Sequence, residues 1–88
     1  MATIEQIRKE FFITLAKSGR GIAVDDVVLP AIVIKDLYKK YNYELSTEGF
    51  NEIGDQLEED GLFRWNEDGM LALTAIGLDH IKEHLKIS

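Results

Sequence analysis

A chain of 88 residues has room for one domain with a modest core, burying roughly 60% of the surface that its unfolded form exposes. The hydrophobic share of 45%, the single proline and the lack of low-complexity runs fit a globular fold over 1–88, despite a net charge of −6. Without cysteine, disulfides, thiolate metal sites and a cysteine nucleophile are excluded, and the apolar runs 11–16 and 27–34 are too short for a signal core or a bilayer span. A cytoplasmic protein without membrane contact is therefore expected.

Thr3 followed by Gln6 has the pattern of a capping box, and Ile4, Ile7, Phe11 and Leu15 then fall on one face of a helix reaching about Lys17. Ser18-Gly19-Arg20-Gly21 stops it, because glycine accepts the left-handed conformation that helix ends favour. Ile13 lies nearly opposite the core face and Phe12 at its edge, which marks them as a candidate contact with a second copy. Residues 22–29 read equally as a short strand, an irregular connection or an early helical turn.

Pro30 suits the first turn of a second helix running to Tyr41, where its missing N–H costs nothing. Its predicted inner face is Ile34, Leu37, Tyr38 and Tyr41, with Lys35, Lys39 and Lys40 outside. Ser46 caps a third helix from about Thr47 to Asp60, buried through Phe50, Ile53 and Leu57 and stopped by Gly61. Two short strands, 62–65 and 70–73, flank Asn66-Glu67-Asp68-Gly69 as a hairpin, and Thr74 caps a last helix with Leu78, Ile81 and Leu85 on one face.

The segments Asp36 to Tyr41, Ser46 to Gly61 and Leu62 to Leu73 together resemble the two motif helices and the wing of a winged helix-turn-helix. The run Leu57 to Leu62, with Gly69 and Leu73-Thr74-Ala75-Ile76-Gly77, is similar to the wings of MarR-type and PadR-type regulators. The resemblance covers roughly 31–78. It implies an α+β fold: a three-helix core with a β-hairpin wing and a C-terminal helix. It also implies a second motif helix that reads DNA through Thr47, Glu48, Asn51, Glu52 and Asp55; a DNA-binding regulator of this kind is expected to dimerise through the terminal helices.

That helix departs from a DNA reader in charge. Between Tyr41 and Phe63 there is no Lys or Arg, while Glu48, Glu52, Asp55 and Glu59 share the outer face. Glu48 with Glu52 and Asp55 with Glu59 are like-charge neighbours, each pair costing roughly 0.2–0.5 kcal/mol. Glu58, Glu59 and Asp60 also sit at the negative end of the helix dipole. A solvated face that aids solubility is the plain interpretation. The functional one is a surface for a basic protein partner, with Trp65 as a candidate anchor if it projects near the hairpin tip and as a core residue beneath the wing if it does not. DNA binding through Lys35, Lys39, Lys40, Thr47, Asn51 and Arg64 is the alternative, and imitation of DNA phosphates by the acids is a third.

Catalysis is not expected. His80-Ile81-Lys82-Glu83-His84 matches an H-x-x-E-H zinc pattern, but the match supplies no third ligand and no cleft, so both histidines are assigned to the surface. Gly19-Arg20-Gly21 lacks the spacing of a phosphate loop, and Asp25-Asp26 reads as a turn cap. No cofactor or metal is expected.

Overall fold

A computed structural model describes residues 2–85. Helix α1 spans Ile4–Leu15 and opens on the expected capping box: the Thr3 hydroxyl accepts from the Gln6 N–H at 3.1 Å, and the Gln6 side chain accepts from the Thr3 N–H at 2.9 Å. One tight turn, Ala16–Ser18, follows, and Gly19 then turns left-handed at φ 77°. Helix α2 spans Pro30–Tyr41, with proline in its first turn, and it ends at Asn42, also left-handed at φ 53°.

Helix α3 spans Thr47–Glu59, and the Ser46 hydroxyl accepts from the Gly49 N–H at 2.9 Å. At its far end Gly61 adopts φ 80°. Leu62 N–H reaches the Leu57 carbonyl and Gly61 N–H reaches that of Glu58, which satisfies two carbonyls that would otherwise be orphaned. Helix α4 spans Ala75–His80 behind a Thr74 cap and continues as a wider π-type turn, Ile81–Leu85.

Three antiparallel strands complete an α+β fold: β1 (Val27–Val28), β2 (Phe63–Trp65) and β3 (Leu71–Leu73), in the order β1-β3-β2. The segment 22–29 combines two of its open readings: 22–26 is an irregular connection with a turn, and 27–28 is a strand, with Val27 opposite Ala72 and Val28 opposite Leu71. The hairpin pairs Phe63 with Leu73 and Trp65 with Leu71. Its turn is held by Asn66, whose side-chain oxygen accepts from the N–H groups of Asp68 and Met70 at 2.9 Å each, while Gly69 supplies φ 75°.

The core joins α1, α2, α3, α4 and the sheet. Phe11 stacks on Phe50 with ring centres 4.8 Å apart, and Phe12 meets Phe63 at 4.9 Å. Two assignments on α1 are corrected. Phe12 is 2% exposed, not an edge residue available to a second copy, because the sheet packs over that side of the helix; Ile4, assigned to the core face, is 53% exposed in the first turn, beyond the reach of that packing. Helix α2 is also rotated from its predicted face. Val33, Asp36 and Leu37 are buried while Tyr38 is 55% exposed.

Ion pairs explain that rotation. Asp36 is buried against Lys17, and Lys40 reaches from α2 to the fully buried Glu10 of α1 at 2.8 Å. The α1–α2 contact therefore contains a charged seam inside an otherwise apolar packing.

Three groups tie stability to pH on the acid side. The Lys17 hydrogen bond holds the Asp36 carboxyl below its ordinary 3.8, against the opposing effect of burial. Burial would raise Asp26, but the Ala23 N–H and Arg20 outweigh it and hold that carboxyl low as well. Burial, helped by His84 and Arg8, pushes the His80 imidazole below 6.5. In each case the unfolded chain binds the proton more readily, so the stabilisation is present above the ordinary value and lost as pH falls through the folded one. Urea midpoints are expected to drop in two stages on acidification, the first below about pH 6.5 and the second below about pH 4. His80→Gln should remove the first stage; an unchanged profile in that variant would contradict the assignment.

Candidate functional site

Helix α3 turns Phe50, Ile53, Gly54 and Leu57 inward. Thr47, Glu48, Asn51, Glu52, Asp55 and Glu59 are all exposed, so the outer face is the acidic one that the 3.6-residue period predicts. Among the described residues, no cation pairs with Glu48, Glu52 or Glu59.

The other acids of this helix have partners within the molecule. Trp65 donates its indole N–H to the Asp55 carboxylate at 2.8 Å, and its backbone N–H to Glu58 at 3.2 Å. The ring lies over Gly54, where an added Cβ would come within 2.7 Å of its Cζ2 atom. Trp65 is thus half-buried, docked on α3 at the border of the acidic face. Asp60, at the end of the helix, pairs with Arg8 of α1. The cation that local preference would place in the last turn of α3 comes instead from 52 residues away. No local sequence signal could have shown it.

The basic residues considered for DNA are divided. Lys40 is engaged by Glu10 at 2.8 Å, and Arg64 by Asp25 at 3.1 Å. The Arg64 pair is exposed on both sides and worth little energetically. Lys35 and Lys39 are exposed on α2, with no ion pair among the described residues.

The histidines of α4 line a shallow hollow with Leu62, Ile76, Asp79 and Glu83, their ring centres 5.0 Å apart. His84 is exposed, but His80 packs on Phe12 at 5.3 Å and is half-buried, which corrects its assignment to the surface. The buried position of Phe12 that draws it inward is the same feature that sequence periodicity missed. Among the described residues no group of three or more His, Cys, Asp or Glu is placed to hold a metal ion, and no helix is long and apolar enough to cross a membrane.

Where α2 meets α3, an open hollow of about 610 Å³ is lined by Tyr38, Tyr41, Asn42, Tyr43 and Glu44. A second, of about 420 Å³, adjoins it and is lined by Ile34, Lys35, Tyr38, Glu44 and Leu45.

Comparisons of the chain with models of protein families, with curated proteins and with solved structures find no match.

Proposed function

We propose that the chain is a noncatalytic winged helix-turn-helix protein that regulates or adapts by binding a basic protein surface through the acidic face of α3. The order of elements and the β1-β3-β2 sheet support the winged-helix reading, with α2 and α3 as the motif helices and β2–β3 as the wing. One observation carries the functional reading: Glu48, Glu52 and Glu59 stand exposed on the helix that would read DNA, and no cation of the described chain neutralises them. Charges arranged in this way steer encounter with a cationic partner and set its orientation, in a salt-dependent manner. Asp55 and Trp65 border the surface, fixed to each other.

The DNA-binding alternative has Lys35 and Lys39 in its favour. Duplex affinity grows with the number of phosphates neutralised, and two free lysines beside an acidic helix supply little of it. In the third reading the same acids imitate phosphates, and the partner is a nucleic-acid-processing enzyme for which the chain competes with DNA.

Charge reversal separates the two acidic-face readings from DNA binding. Because Asp55 holds the indole, the informative variant is Glu48→Lys/Glu52→Lys, which disturbs no hydrogen bond described above. Fluorescence anisotropy with a labelled nona-lysine peptide is expected to show salt-dependent binding that falls about tenfold in this variant. A mixed-sequence duplex should stay unbound by the wild-type chain at physiological salt. Tight duplex binding that Lys39→Ala weakens across sequences would establish the alternative instead.

A further inference from the structure

The exposure of Tyr38 calls for a physical reason. Helical spacing assigns it to the inner face of α2, yet Val33 takes that place and Tyr38 stands 55% exposed. It is not isolated. All three tyrosines of the chain line the hollow of about 610 Å³ at the α2–α3 junction. Asn42 makes this arrangement: its left-handed conformation reverses the chain between Tyr41 and Tyr43, and both of those rings pack half-buried against the core. Tyr38, one turn earlier on α2, and Glu44 line both this hollow and the adjoining one, so they form the wall between them.

The surroundings select a cation with an apolar stem. Glu44 is exposed and has no ion partner among the described residues. The site also lies at the C-terminal end of α2, where the helix dipole is negative. Ile34 and Leu45 add apolar lining on the other side of the wall. Lys35 lines that side too and opposes a cation there, which leaves the side of Tyr38 shared with Tyr41 and Tyr43 for the charge.

We propose that this site receives an arginine side chain of the basic partner, with the guanidinium over Tyr38 and its N–H groups on Glu44, and the aliphatic stem along Ile34 and Leu45. The proposal rests on the acidic-face reading and refines it from a cationic partner to one that presents arginine beside the α3 acids. Arginine fits better than lysine for two reasons. Its planar, weakly hydrated cation stacks on an aromatic face, and its forked donors match a carboxylate, whereas an ammonium is a strongly hydrated point charge.

Labelled nona-arginine and nona-lysine peptides, titrated by anisotropy against wild type, Tyr38→Leu, Glu44→Gln and Glu48→Lys/Glu52→Lys, test this directly, with circular dichroism confirming each fold. Tyr38→Leu is expected to weaken nona-arginine by about threefold to tenfold, the range for an exposed to partly dry cation–π contact, and to leave nona-lysine unchanged. Glu44→Gln should weaken nona-arginine more than nona-lysine. If Tyr38→Leu and Glu44→Gln leave nona-arginine binding intact, the arginine site is wrong while the acidic face stands. If Glu48→Lys/Glu52→Lys leaves both peptides bound, the acidic face is wrong. Absence of binding to the wild-type chain would overturn both.

Discussion

Gly77→Ala is expected to destabilise the fold by about 3 kcal/mol or more, lowering the thermal midpoint by about 12 °C or more for a domain of this size. Helix propensity alone predicts the opposite sign, since alanine within a helix gains roughly 1 kcal/mol over glycine. Packing decides. A Cβ at Gly77 would lie 2.1 Å from the Leu62 carbonyl oxygen and 2.7 Å from the Leu73 Cδ1 atom. The first of these is backbone and has no rotamer to change. Nor can α4 simply lift away, because the Thr74 hydroxyl contacts the carbonyls of Gly61 and Leu62 at 2.6 and 2.9 Å and caps the Gly77 N–H at 2.9 Å. Relief of the clash would require breaking that junction. Urea denaturation of Gly77→Ala beside the exposed-site control Asp79→Ala measures this. A variant as stable as wild type would mean that α4 docks less closely than described.

Lys40→Met is the second large effect, expected at about 2–4 kcal/mol. Glu10 is fully buried, Lys40 is its ion partner, and the second carboxylate oxygen, Oε2, has no hydrogen-bond partner. Removing the ammonium leaves a buried carboxylate uncompensated, which costs about 3–5 kcal/mol for a fully enclosed pair. The lysine is 43% exposed, so water can reach the site and moderate the loss. Glu10→Met/Lys40→Met should restore most of the stability, because the paired replacement removes the charge along with its partner. A double variant no better than the single one would contradict this account. The hydrogen bond to Glu10 also holds the Lys40 ammonium above its ordinary 10.5, so this contribution is present below that value and lost as pH rises through the raised one. Loss of DNA binding in a Lys40 variant would therefore report unfolding, and Lys39 is the sounder probe of that alternative.

The parts of the fold legible in the sequence are those set by contacts a few residues long. Thr3 with Gln6, Pro30, Ser46, Gly61 and Thr74 mark helix ends through bonds to their immediate neighbours, and those ends are found where these residues predict them. What escaped depends on distant partners. The rotation of α2 follows from Asp36 meeting Lys17 and Lys40 meeting Glu10, 19 and 30 residues away. Strand β1 has two residues, too few for alternation to register, and is defined by its pairing with β3. The acidic face shows the same division. Exposure of Glu48, Glu52, Asp55 and Glu59 follows from helical period, but the recruitment of Asp55 and Glu58 by Trp65, and of Asp60 by Arg8, belongs to tertiary structure.

The chain has one tryptophan, and it lies over Gly54 with its indole N–H on Asp55. Excited indole is sensitive to both hydrogen bonding and hydration, so its emission would respond to anything that shifts the hairpin against α3 or covers the neighbouring carboxylates. The molecule thus carries its own optical reporter at the border of the proposed interface, and titrations can be followed without attaching a dye to the surface in question.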